Sequence, residues 1–367
     1  MDRNLILAIA LSGAVLLLWD LLITQPQRQE FEAAREAAEE SAATGDLQGI
    51  APGAIEDAPI SVEEAIASAP ARVAIETDRL KGSINLVGGR IDDLILLSYR
   101  EELPEDSPAI RLLTPREAEH GHYIQHGWIL GDDAGENALW SAPDGAVLTP
   151  QSPVTLSRVQ GDVVFEKTIS VDEEYMFSVA QTVRNEGSGD VAVTPYALVI
   201  QRNKPEDFTN MMILHEGPLG VIGTKLYERK YNTLAKNKDR RVDASGVGGW
   251  VGITNKYWLA ATVPPQDEEI KASLANVAQG EEPIFRASYS LPARIVPAGG
   301  EIQLTSYAYG GAKDVDILQS YEAVPEKGGL GVYDFDKAVD WGHLFFLTRP
   351  IFYTLDFFGD LTGNFGV

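Results

Sequence analysis

The hydrophobic pattern divides the chain into three regimes. Leu5 to Ile23 reads LILAIALSGAVLLLWDLLI, apolar throughout except for Asp20 near its end. At about 1.5 Å per residue this run matches the ~30 Å hydrocarbon core of a bilayer, so it predicts a membrane-spanning helix. From Ala71 to about Gly310 the pattern changes to short runs rich in Val, Ile, Thr and aromatics. Examples are RVAIET, DDLILLSYR, DVVFEKTISV, YMFSVAQTVRN, WVGITN, YWLAATV and EIQLTSYAY. Many alternate between apolar and polar residues, and Gly, Pro, Asn and Asp separate them, which predicts strands. With no regular helices between them, they imply an antiparallel β sandwich or barrel. Residues 312–324, AKDVDILQSYEAV, change period again. Val315, Leu318 and Tyr321 recur at helical spacing with Ile317 near the same face, and Pro325 ends the predicted helix.

The last regime runs from Val339 to Phe358. Leu344, Leu347, Ile351, Leu355 and Phe358 fall on one helical face, Phe345, Phe346, Phe352, Tyr353 and Phe357 broaden it, and Thr348, Arg349, Thr354 and Asp356 form a narrow polar side. With Trp341 at its start, this reads as an amphipathic helix lying in the membrane interface. The other reading is a soluble helix packed on its own domain. The residues assigned to the membrane interface are Trp341, Leu344, Leu347, Ile351, Leu355 and Phe358.

The first apolar run is long, and TQPQR succeeds it with no small-x-small cleavage pattern, so it reads as an uncleaved anchor. Arg3 precedes it and acidic sequence comes after it, which places the N-terminus in the cytoplasm and the large domain outside. Between anchor and strands, roughly residues 25–69 are rich in Ala and Glu and then in Pro. That composition reads as a flexible acidic tether. The organisation expected is therefore an anchor over residues 1–24, a linker over 25–69, a β-sandwich domain over 70–325, and a connector over 326–367 leading to a membrane domain beyond the chain.

Net charge is −24 with 54 Asp and Glu against 30 Lys and Arg, which argues against nucleic acid as a partner. There is no cysteine, so thiolate metal sites and cysteine nucleophiles are excluded. Candidate chemistry is sparse. His120, His122 and His126 would share one face if extended, but the stretch reads better as polar loop or strand than as a metal site. Gly246-Val-Gly248-Gly249-Trp250 precedes a strand instead of opening a helix, so it reads as a tight turn and not a phosphate loop. Gly88-Gly89 reads the same way. His215-Glu216 is a weak acid–base candidate. Nothing here supports an enzyme, a cofactor or a metal.

Three stretches carry a resemblance. VAIETDRLKGSINLVGGRIDDLILL (residues 73–97), GGWVGITNKYWLAATVPP (residues 248–265) and the tail VDWGHLFFLTRPIFYTLDFFGDLTGNFGV resemble, in order, the periplasmic domain of the YidC membrane-protein insertases and the segment joining it to the second membrane helix. The N-terminal run resembles their first membrane span. The resemblance implies a large galactose-mutarotase-like β supersandwich in the periplasm of an inner-membrane protein. It implies an activity of inserting and helping to fold inner-membrane proteins, alone or with the Sec translocon. Partners implied are nascent membrane proteins, the translocon with its accessory subunits, and the lipid bilayer. The groove residues that handle substrate would lie after Val367. An accessory-subunit contact maps by chain order to Pro205–Tyr231, with Phe208, Met211, Met212 and Tyr227 as candidate contact residues. The alternative is a membrane-tethered carbohydrate-binding or structural adaptor domain.

Overall fold

The computed structural model describes residues 59–340 apart from 105, 210–213, 237–240 and 279–281, together with 350, 351 and 354. The expected span at Leu5–Ile23, the first part of the tether, Met211, Met212, Trp341, Leu344, Leu347, Leu355 and Phe358 lie outside the described residues. Among those described, no helix is long and apolar enough to cross a membrane.

The strands in chain order are β1 (Arg72–Glu76), β2 (Leu80–Asn85), β3 (Arg90–Arg100), β4 (Ala109–Leu113), β5 (His122–Leu130), β6 (Val147–Leu148) and β7 (Val154–Gln160). Next come β8 (Val163–Val171), β9 (Met176–Asn185), β10 (Val191–Arg202), β11 (Gly217–Ile222), β12 (Lys225–Glu228) and β13 (Arg241–Val247). The last are β14 (Gly249–Thr254), β15 (Trp258–Val263), β16 (Glu269–Asn276), β17 (Ile284–Ser290), β18 (Arg294–Val296) and β19 (Glu301–Ala312). They form two sheets. One has the order β13-β16-β17-β10-β5-β3-β2-β1-β6, with β18 pairing β10 and β4 pairing β3; the other has the order β12-β11-β14-β15-β19-β9-β8-β7. Pairing is antiparallel except for the short β1–β6 contact. The sheets pack face to face, β10 and β17 against β14 and β5 against β15. The mainly β, two-sheet architecture expected from the strand pattern is present.

β8 displays the alternation directly. Val163, Phe165, Ile169 and Val171 turn inward while Val164, Glu166, Thr168 and Ser170 turn outward. The same parity puts Lys167 inside, 1% exposed. Its ammonium donates to the carbonyls of Gly89 (3.3 Å) and His126 (2.8 Å) on the opposite sheet. It also lies 4.6 Å from the centroid of the Trp140 ring. Burial, then the neighbouring Arg158 and Arg90, push Lys167 down to about 7.

The predicted helix over 312–324 is α3 (Val315–Glu322), with Val315, Leu318 and Tyr321 buried. Asp314 caps it by accepting from the amides of Asp316 and Ile317. Two shorter helices are α1 (Val62–Ser68) and α2 (Tyr231–Lys236). Helix α1 shortens the expected tether. Ser61 caps it, Ala65 is buried, and Ile60 bridges Ala118, so residues 60–68 are folded onto the domain. One cap and one buried alanine leave little trace in an Ala/Glu-rich sequence.

The domain also continues past 325. Phe335 is fully buried, with its ring 5.3 Å from both Trp250 and Tyr309 and 6.4 Å from Tyr321. Trp250 Nε1 donates to the Asp334 carbonyl, the Tyr333 amide donates to Gln266 Oε1, and the Asp336 amide donates to Glu322 Oε1. Residues 326–340 are therefore part of the packed body.

Candidate functional site

Three cavities on the described surface are candidates. The first, about 730 Å³, is lined by residues of the segment ahead of α1, by His120, His122 and Gln201, and by four carboxylates, Glu101, Glu119, Glu206 and Asp207. The second, about 690 Å³, lies at the edge where β12 and β13 end their sheets, with Tyr227, Tyr333 and Val247 in its wall. The third, about 750 Å³, is built from the end of β3, the turn between β14 and β15, the start of β15, the end of β19 and the first residues of α3. Its wall includes Leu214, Val339 and Asp340.

The histidines do not converge on a metal. His122 and His126 lie on β5 on the same face as Ile124 and Trp128, which join the inter-sheet core, whereas His120 precedes the strand. His122 Nδ1 is 2.8 Å from the Ile200 carbonyl. Burial pushes His122 down to about 4 and His126 down to about 3, the latter with help from Lys167, so both are neutral core groups at pH 7. Among the described residues no group of three or more His, Asp or Glu comes together as a metal site.

Gly246–Trp250 is the tight turn expected. Gly248 and Gly249 adopt φ of +66° and +102°, linking β13 in one sheet to β14 in the other. Gly88 and Gly89, both at positive φ, likewise turn β2 into β3. His215 and Glu216 are both buried, but not as a mutual pair. The His215 ring is 3.3 Å from the Pro218 carbonyl, and its backbone amide donates to Asp340 Oδ2 at 2.8 Å. Glu216 is 3% exposed, and neither carboxylate oxygen has a hydrogen-bond partner among the described residues. Burial and then Asp207 raise its pKa; Lys313, Lys256 and Lys230 oppose the rise. This is a strained electrostatic position behind the third cavity, not an acid–base dyad.

The candidate contact residues that are described fall in different surroundings. Phe208 is half-buried, edge-on to Tyr231 at 5.8 Å, with the Lys204 ammonium 5.1 Å from its ring. Tyr227 lies in the second cavity beside Lys225. Of the interface set, Ile351 is described; it is helical and 49% exposed, and the Thr354 hydroxyl donates to the Pro350 carbonyl at 2.7 Å.

The third cavity is absent from the sequence pattern. Trp258 is part of its wall and of the first cavity's, edge-on to Tyr99 at 5.1 Å and to Tyr257 at 6.2 Å. Tyr257 is 57% exposed, and the Lys256 ammonium rests 4.8 Å from its ring centroid. Arg100 and Lys313 line it as well, and Asp314, Asp316 and Asp340 match the three cations with three carboxylates. Burial pushes Lys313 down to about 8, with Asp340 and Glu216 opposing. One local signal does exist: Lys256-Tyr257 places a cation and an exposed ring in the short turn before β15, whose first residue, Trp258, packs on the core.

The chain is similar to known proteins. Residues 72–354 match the family described as the YidC periplasmic domain. A protein from Rhizobium johnstonii named "Membrane protein insertase YidC" is 39% identical over 389 aligned residues, covering 100% of this chain and 63% of that protein. A Methylobacterium nodulans protein of the same name is 39% identical over 387, covering 99% of this chain and 62% of its own length. The chain thus spans somewhat under two thirds of the curated relatives it matches. Among solved structures, a galactose mutarotase related enzyme from Lactobacillus acidophilus is similar at 8% identity with a TM-score of 0.47. That match covers 65% of this chain and 97% of the other.

Proposed function

The chain belongs to the YidC periplasmic domain family, and from that premise we propose that it is the anchor and periplasmic part of a membrane-protein insertase. The complete protein inserts and helps fold inner-membrane proteins, alone or beside the Sec translocon. Its partners are nascent membrane proteins, the bilayer, and translocon accessory subunits contacting the Pro205–Tyr231 region. The observation carrying this reading is the full-length alignment at 39% identity to proteins named as insertases.

The physical task does not require a catalytic constellation. A polar segment crossing lipid leaves backbone groups unsatisfied at several kcal/mol each, and a wet protein path lowers that cost without covalent chemistry. In this reading the anchor holds the sandwich outside the cytoplasm. The segment from Trp341 to Phe358 lies in the headgroup layer and steadies the groove helices that come after it. The exposure of Ile351 supports that reading.

The test is a strain depleted of its own insertase and supplied with the full-length form of this protein. Restored growth and insertion of reporter membrane proteins are expected. Insertion that stays defective, with the protein stably present in the membrane, overturns the assignment. Photocrosslinkers at Phe208 and Tyr227 test the accessory contact, and capture of no translocon component at either position removes it.

A further inference from the structure

We propose that the cavity between Tyr99, Arg100, Lys256, Tyr257, Trp258 and Lys313 binds the phosphate-bearing headgroup of a membrane phospholipid. The inference rests on the reading that the segment after Asp340 lies in the membrane interface. It adds a specific lipid site on the folded body itself.

The freedom of the cavity's cations is the first argument. The chain carries a net charge of −24, so an anionic surface repels most of it. In this cavity Arg100, Lys256 and Lys313 make no ion pair and no side-chain hydrogen bond among the described residues. Other cations close by are engaged, such as Arg111 with Asp93 and Arg79 with Glu174. The rim carboxylates are partly committed: Asp314 caps α3 and Asp340 accepts from the His215 amide. Asp316 is the third carboxylate of the rim. The first cavity, with four carboxylates against Arg111 alone, is the more acidic of the two.

Ring chemistry is the second argument. An exposed tyrosine backed by a tryptophan suits the headgroup layer, where one side of the ring meets apolar chain and the other meets water. Tyr257 and Trp258 supply that arrangement within the cavity, with Tyr99 closing the other side of the indole. The ammonium of Lys256 now rests on the Tyr257 ring; a phosphate oxygen gives it a stronger partner within reach of its flexible stem.

Position is the third argument. Val339 and Asp340 form part of the cavity wall and are the residues from which the chain enters the Trp341–Phe358 segment. If that segment lies in the headgroup layer, the cavity opens beside it. Half-buried Lys313, pushed down to about 8, is the group whose protonation a phosphate would reinforce.

The experiment uses the full chain in dodecyl maltoside micelles, a detergent without phosphate or ammonium. Dihexanoyl-phosphatidylglycerol, dihexanoyl-phosphatidylethanolamine and inorganic phosphate are titrated in turn, and ³¹P line broadening is read against protein-free micelles. Both lipids are expected to broaden saturably, and inorganic phosphate to bind at least tenfold more weakly. The exposed-side double variant Arg100→Gln/Lys256→Gln should weaken lipid binding about tenfold, and Tyr257→Ala severalfold, with circular dichroism unchanged. No saturable broadening, equal binding of phosphate and lipid, or a double variant that binds like the parent overturns the proposal. Failure of the insertase reading appears instead in the depletion strain, and does not alter this titration.

Discussion

The backbone amide of His215 donates to Oδ2 of Asp340 at 2.8 Å, joining positions 125 residues apart in sequence. One partner lies within the Pro205–Tyr231 stretch that the sequence marks for protein contact. The other is the residue before the apolar segment that it marks for membrane contact. Asp340→Ala should remove this tie at a cost of about 1 kcal/mol, a typical net value for one hydrogen bond. Hydrogen exchange should then show loss of protection at the His215 amide with the β10 and β17 amides unchanged. Retained protection at His215 would mean that the bond contributes nothing to holding the two segments together.

The buried histidines set the acid limb of stability. His122 and His215 are held near 4 and His126 near 3, all below their ordinary value of 6.5, with burial the first cause in each. As pH falls, the folded state therefore takes up protons later than the unfolded state. Their contribution is complete above about pH 6.5 and is lost as pH falls toward 4. At pH 5 each costs about 2 kcal/mol. The urea midpoint should drop between pH 7 and pH 5, and His122→Asn should flatten that drop. A midpoint indifferent to pH over this range would show that these imidazoles are hydrated in the folded protein.

Lys167 sets the opposite limb. Held near 7 against an ordinary 10.5, it loses its proton in the folded state first. Between pH 7 and about 10 the unfolded chain binds the extra proton, so stability rises with pH. Relative to Lys167→Met, the parent should gain on the order of 3 kcal/mol from pH 7 to pH 9.5. Parallel pH profiles for parent and variant would mean that the ammonium stays charged between the sheets.

Gly249 is a point of steric necessity. At φ +102° a Cβ would sit 2.0 Å from the Val221 carbonyl oxygen across the β11–β14 pairing. Gly249→Ala must move that ladder, and the expected loss is about 3 kcal/mol or failure to fold. The expressed variant should show a lower thermal midpoint than Gly189→Ala, where nothing lies within 4 Å of the added carbon.

The membrane-facing prediction concerns Leu347 and Ile351. Placing glutamate at both would put two charges on the face assigned to the headgroup–acyl boundary, where each must leave the layer or neutralise. The double substitution in the full-length protein should fail to rescue the depleted strain at normal protein levels, whereas Asp162→Asn on the sandwich surface should rescue. Normal growth of the double variant would reject the interfacial role.

Legibility tracks the periodicity. β8 and β9 alternate over nine and ten residues, and α3 places Val315, Leu318 and Tyr321 on one face, so these elements are readable in the sequence. β11, GPLGVI, is buried at every position, and its Gly and Pro resemble a loop. β5 hides His122, Gln125 and His126 among apolar residues, with partners supplied by distant strands. Such polar burial is satisfied only by tertiary contacts, which a local pattern does not contain. The third cavity is illegible for the same reason: Tyr99, Lys256, Trp258, Lys313 and Asp340 come from separate parts of the chain and meet only after both sheets form.

The burial of Phe335 between Trp250, Tyr309 and Tyr321 bears on how the protein moves. Residues 333–340 are fastened in turn to Gln266, Trp250, Glu322 and His215, so they offer no slack to the body behind them. A tug on the chain beyond Asp340 is delivered to the middle of the second sheet, at β14 and β19, instead of peeling an edge strand. Residues 333–340 thus leave no room for a pivot among themselves.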